Sequence, residues 1–166
     1  MSSPAETAAF LSSVRLFREF DGSELQAFTG RLRERLLRKG QVLFREGDSG
    51  EEMFLVRRGT VIISKAVTGR VDQVLARAVA GDFFGEMSLF DRSPRSATIQ
   101  AETDVELLAL SRDNLNVLIE ANPRAAAEFF HALVYVFIER LRAQGNLVAE
   151  VTRWGLEATG LDVESR

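Results

Sequence analysis

Glu52-Met53-Phe54-Leu55-Val56-Arg57, then Arg58-Gly59, then Thr60-Val61-Ile62-Ile63-Ser64-Lys65-Ala66 reads as a short strand, a glycine turn and a second short strand. The pattern extends in both directions. Glu34 to Arg38, Gln41 to Arg45, Val71 to Val79, Ser96 to Ala101 and Val105 to Leu110 are further short strands. Lys39-Gly40, Gly47-Asp48-Ser49-Gly50, Thr68-Gly69 and Ala80-Gly81 separate them. Short strands at regular spacing predict a sandwich or barrel, with a jelly roll as the natural closed form. One long insertion breaks the series, and long insertions in compact domains are often functional.

Helices flank the strands. Residues from about 5 to 31 read as helical, with Phe10, Leu11, Val14, Phe17 and Phe20 at helix-like spacing. Asp21-Gly22-Ser23-Glu24 interrupts them, and Ser23 with Gln26 is expected to cap a second helix that buries Leu25, Phe28 and Leu32. Beyond the strands, Ser111-Arg112-Asp113-Asn114 reads as a cap and first turn, and Asn122-Pro123 as a break and restart. The fold class is thus mainly β with flanking helices: N-terminal helices, a jelly-roll barrel from about 34 to 110, and a long C-terminal helix.

The insertion is Gly81-Asp82-Phe83-Phe84-Gly85-Glu86-Met87-Ser88-Leu89-Phe90-Asp91-Arg92-Ser93-Pro94-Arg95-Ser96-Ala97-Thr98. Its residue types suit an anion pocket. Gly85 allows a ligand close to the backbone, amides after it can face a phosphate, and Arg95 offers a planar charged fork. Glu86 can accept hydrogen bonds from a ribose hydroxyl.

Phe84-Gly85-Glu86-Met87-Ser88-Leu89 followed by Pro94-Arg95-Ser96-Ala97-Thr98 resembles the phosphate-binding cassette of cyclic nucleotide-binding domains. Such domains occur in bacterial cyclic AMP receptor proteins, protein kinase A regulatory subunits and nucleotide-gated channels. Arg45-Glu46-Gly47-Asp48, and Phe54-Leu55-Val56 running into Arg58-Gly59-Thr60-Val61, extend the resemblance over roughly residues 10 to 143. It implies a double-stranded β-helix of jelly-roll type, with residues 1–143 forming the nucleotide-binding domain and 144–166 a short C-terminal tail that can be helical.

The resemblance also implies roles. Arg95 and the amides of Met87 and Ser88 would bind phosphate, Glu86 ribose, and Gly85 would permit close approach, with Phe84, Pro94 and Ala97 completing the cassette. Ser96 could offer its hydroxyl to phosphate or base, or be a small strand residue. Related bacterial cyclic AMP receptors carry serine there, so cyclic AMP is the expected ligand, with cyclic GMP as the alternative. Val74, in Val74-Leu75-Ala76, is a candidate wall for the base, and Phe137, with Phe130 and Val134, a candidate cover; ordinary core or dimer packing is the competing role.

Composition bounds the remaining possibilities. The chain has 166 residues, 46% apolar and 27% charged, with a net charge of -3, which suits one globular domain. That balance calls for neither nucleic acid nor an acidic membrane. There is no cysteine and one histidine, so no thiol nucleophile and no multi-histidine metal site; His131 is expected to be structural. The N-terminus lacks a secretory pattern, and the longest apolar run, Ala132 to Ile138, is far short of the roughly 20 residues of a membrane helix. A cytoplasmic, non-enzymatic binding protein without cofactor is expected.

From about 123 to 143, Phe129, Phe130, Leu133, Val134, Tyr135, Val136, Phe137, Ile138 and Leu141 cover more than one helix face, which predicts burial on several sides. A homodimer through this helix follows as an expectation. After Gln144-Gly145-Asn146, Leu147, Val151, Trp154, Ala158 and Leu161 keep helical spacing, read either as a short helix folded back or as a lid or docking segment. The 23 or so residues after 143 offer no basic recognition helix. The chain reads either as a stand-alone sensor that acts on an unidentified effector protein or as a piece of a longer protein, and its start at Met1 favours the first. A protein-interaction module of the same fold, with an empty or non-nucleotide pocket, is the rival reading.

Overall fold

The computed structural model describes residues 2–68 and 71–158. Readings that concern Gly69, the side chains of Trp154 and Ala158, Gly160 and Leu161 lie outside the described residues. The chain divides into two compact units, one up to Glu128 and one from Phe129 onward.

The first unit is built on two antiparallel four-stranded sheets. One places β1 (Arg33–Leu37), β8 (Val105–Ser111), β3 (Glu52–Arg58) and β6 (Phe83–Phe84) side by side in that order. The other runs β2 (Val42–Phe44), β7 (Thr98–Ala101), β4 (Val61–Thr68) and β5 (Val71–Ala78). Phe54, Val56, Phe84, Leu107 and Ala109 from the first sheet share one apolar core with Val61, Ala78, Ile99 and Ala101 from the second. Among the described strands no ladder joins the sheets, so the jelly roll is open rather than a closed barrel.

The seven strands read from the sequence are all present, within about two residues at their ends. The eighth, β6, is only a Phe-Phe pair, which is too short for a period and forms because Phe54 and Leu55 pair with it. β7 begins at Thr98 rather than Ser96 because the backbone of Arg95 is engaged elsewhere, as described below. β3 is buried on both faces from Met53 to Val56, as is β8 from Leu107 to Leu110.

Before the strands, α1 (Pro4–Ser13) ends sooner than its apolar spacing predicts. The hydroxyls of Ser12 and Ser13 donate to the carbonyls of Ala9 and Phe10 at 2.7 and 2.6 Å, and Val14 is extended. Hydroxyls that bond back to the preceding turn compete with helix propagation. A 3₁₀ turn at Arg15–Phe17 follows. In α2 (Gly22–Thr29) the cap is Asp21, not Ser23: its carboxylate accepts from the Glu24 amide at 2.8 Å, while Glu24 accepts from the Asp21 amide at 2.9 Å. Aspartate caps as well as serine, and here it stands three residues before a glutamate that completes the box. Phe17, Phe20 and Phe28 then meet edge to face, with centroids 5.0 to 5.5 Å apart.

After the strands, α3 (Arg112–Ala121) is capped by Ser111, whose hydroxyl accepts from the Asn114 amide at 3.1 Å. Asn122 accepts from the Ala125 amide at 3.1 Å as α4 (Pro123–Ala158) begins. The sequence reading separates a tail at Gln144-Gly145-Asn146, but α4 continues through Gly145. Gly145 has no positive φ; a helical glycine costs about 1 kcal/mol relative to alanine and does not oblige the helix to stop. In the second unit, Val134, Tyr135, Leu141, Leu147, Val148 and Val151 are exposed. No helix among the described residues is long and apolar enough to cross a membrane.

Gly59 closes the β3–β4 turn at φ +85°, and a Cβ there would lie 2.2 Å from the Asp104 carbonyl oxygen. Gly59→Ala is expected to destabilise the protein by about 2 kcal/mol or more, read as a lower urea midpoint at an unchanged slope.

Candidate anion site around Arg95

Arg95 is 6% exposed, which is unusual for a side chain that stays charged at any ordinary pH. Its backbone is held first. Its amide donates to the Asp48 carbonyl at 2.7 Å, and its carbonyl accepts from the Gly47 amide at 2.8 Å. Gly47, at φ +89°, makes the tight turn in which the Asp48 carboxylate accepts from the Arg45 amide at 2.9 Å. The Arg45–Asp48 motif therefore serves the site through its backbone.

The guanidinium then enters a slot lined by glycines. Cβ atoms built on Gly50 and Gly85 would fall 2.1 Å from Arg95 Nε and 2.9 Å from Nη1. The Arg95 Cζ lies 4.1 Å from the ring centre of Phe44, a cation–π arrangement. Beneath it Phe54 and Phe84 stack at 5.5 Å and 23°. Nη1 donates to the Glu52 carbonyl and to Ser88 Oγ, both at 2.9 Å. Nε is buried without a partner. Burial pushes the guanidinium below the usual arginine range, while the Glu52 and Asp48 carboxylates oppose that shift.

The cassette residues fall into two groups. Phe84, Glu86 and Ser88 are buried, and Gly85, at φ +76°, turns the chain into a 3₁₀ turn at Glu86–Leu89. Met87, Pro94 and Ser96 are exposed, and Ala97 is half-buried. The Ser88 amide donates to the Gly85 carbonyl at 3.2 Å, so it is engaged within the turn. Val74 is exposed on the edge strand β5; it pairs with the buried Ser64, which pairs in turn with Thr98. Phe137 belongs to the second unit and is half-buried on α4.

Sequence reasoning missed Phe44, Gly50, the Glu52 carbonyl and Arg112. Gly50 was legible only as a turn glycine, and Phe44 only as a strand residue. The Glu51 and Glu52 carboxylates pair with Arg112 at 3.1 Å and Arg35 at 3.5 Å, but the contact with Arg95 comes from the Glu52 backbone. Among the described residues no cluster of three or more His, Cys, Asp or Glu is placed to hold a metal ion.

A family model for the cyclic nucleotide-binding domain matches residues 34–122. The chain belongs to the cyclic nucleotide-binding domain family. It is similar to the cyclic AMP receptor protein of Thermus thermophilus, with 35% identity over 127 residues, covering 76% of this chain and 57% of that protein. A cyclic nucleotide-gated potassium channel of Rhizobium etli is 34% identical over 70% of this chain and 31% of the channel. Among solved structures, the N-terminal domain of a transcriptional regulator from Streptomyces coelicolor superposes with a TM-score of 0.72 at 30% identity, covering 84% of this chain and 94% of that one. The regulatory domain of Toxoplasma gondii PKA, solved with cAMP, gives 0.62 at 30% identity, over 69% and 43% of the two chains. The chain thus spans little more than half of the receptor it matches and under a third of the channel.

If the slot is shaped by Arg95, Gly50→Ala should destabilise the protein by about 1–3 kcal/mol through overpacking. In an Arg95→Ala background the same change should cost under about 1 kcal/mol, because the clash is gone. Equal costs in both backgrounds, measured by urea denaturation, would show that the slot has another origin.

Proposed function

We propose that this cyclic nucleotide-binding domain is a stand-alone sensor of cyclic AMP, with cyclic GMP as the alternative ligand, and that it acts by binding rather than catalysis. The observation that carries the reading is Arg95. A permanent cation is held in a glycine-lined slot with an unpartnered Nε, in the same short segment as the buried Glu86 and Ser88. A cyclic phosphate offers acceptors for the fork, and a ribose hydroxyl offers a donor for the Glu86 carboxylate. Relatives named for cyclic AMP, and a regulatory domain solved with cAMP, support cyclic AMP over other phosphate esters. Phosphate on Arg95 and the cassette, ribose on Glu86, and base near Ser96 and Val74 complete the proposed pose.

Titration calorimetry should give a dissociation constant for cyclic AMP well below millimolar, and Arg95→Ala should weaken it about 100-fold. Failure of both cyclic nucleotides to bind would favour an interaction module of the same fold.

We further propose that occupancy is passed to α4 and, through a homodimer, to an effector protein. Val134, Phe137, Leu141, Val148 and Val151 fall at the a and d positions of a helix–helix seam that is interrupted once, at Gln144, and four of the five are exposed large apolar residues. Sedimentation equilibrium should report a dimer. Leu141→Glu combined with Val148→Glu should raise its dissociation constant more than tenfold, on the order of 1.4 kcal/mol or more. A monomeric wild type would defeat this part alone.

A further inference from the structure

Arg112 lies outside the cassette, at the first position of α3. A cation there is poorly placed, because the first turn of a helix favours a carboxylate. Helix preference therefore does not account for it, and its contacts do. Nη2 donates to the carbonyls of Ser88 and Asp91 at 2.6 and 2.7 Å. Nη1 donates to Glu51 Oε1 at 3.1 Å, and the backbone amide donates to the Glu51 carbonyl at 2.8 Å. The Arg112 side chain is 17% exposed against 63% for Glu51, so the ion pair is largely solvated and contributes little. The two cassette carbonyls are the stronger partners, since charge-assisted bonds in a partly dry site are the strong ones. Nε is buried without a partner, so the residue is held in place despite an incomplete set of bonds.

Ser88 links Arg112 to the anion site. Its carbonyl accepts from Arg112, and its hydroxyl accepts from Arg95 Nη1. Arg95 Nη1 also donates to the carbonyl of Glu52, the neighbour of Glu51. The contacts form a closed circuit: Glu51–Glu52, Arg95, Ser88, Arg112 and back to Glu51. A shift of Arg95 toward a ligand must lengthen or turn one of these bonds, and Ser88 hands the displacement to the first residue of α3.

We propose that Arg112 is a positioning residue for the anion site: by holding the Ser88 and Asp91 carbonyls it sets where Arg95 presents its guanidinium, and it couples the cassette to the start of α3. The affinity consequence rests on the function proposed above; the placement of Arg95 does not.

The test uses the full chain with Arg112→Met, which keeps an apolar stem and removes the donors, and Arg112→Lys, which keeps the charge but not the planar fork. Three quantities are read: hydrogen exchange of the Phe90 and Asp91 amides against those of β3, the NMR signal of the Arg95 Nε–H, and the cyclic AMP dissociation constant. For Arg112→Met the cassette amides should exchange at least about tenfold faster while β3 is unchanged, the Arg95 signal should shift, and affinity should fall about tenfold. Arg112→Lys should recover part of each, and it carries the test if Arg112→Met does not fold. Uniformly faster exchange with unchanged affinity would make Arg112 a stability residue and overturn the proposal. So would faster cassette exchange with an unmoved Arg95 signal. If wild type binds no cyclic nucleotide, the proposed function fails, and the exchange and Arg95 signals still decide the role of Arg112.

Discussion

A guanidinium cannot escape burial by losing its proton, so a chain that buries one must build the surroundings it needs. Around Arg95 those surroundings come from two stretches of chain, residues 44–52 and 85–88. Phe44 gives a π face, Gly50 and Gly85 give empty space, Glu52 and Ser88 give acceptors, and Gly47 with Asp48 holds the backbone. The two sheets bring these segments together, because β2 and β3 lie in different sheets and the cassette runs between them. The site is therefore a product of the whole sandwich.

The set is also incomplete. Nε has no partner, and an unsatisfied buried donor costs about 1–3 kcal/mol. A buried cation with an unfilled donor responds more to an acceptor than a hydrated surface arginine does. The hydration of a surface arginine must be given up on binding, whereas that loss is already built into the fold here.

This explains what was legible in the sequence. The strands were, because glycine turns and short apolar runs mark them without reference to tertiary structure. Gly85 and Arg95 were, because the cassette is local in sequence and resembles a known family. Gly50, Phe44 and Arg112 were not, because their roles lie in where a side chain from far along the chain ends up. A turn glycine and a slot glycine look alike until Arg95 is placed against one of them. The misplaced cap has a smaller cause: Asp21 with Glu24 and Ser23 with Gln26 are both competent pairs at the same spacing, and the chain uses the first. Gly145 misled in the opposite direction, since glycine ends a helix only where the chain needs a left-handed residue.

What the domain can transmit follows from the same arrangement. Its relatives include a receptor and a potassium channel, and the chain covers only part of each. A domain shared by such different proteins contributes a change of state, whose size is capped by the difference in ligand affinity between the two states. In this chain the Arg95 guanidinium donates to the Ser88 hydroxyl. Arg112 ties the same serine to α3, the element immediately before α4. Under the function proposed above, a displacement of Arg95 would reach α3 through that shared serine.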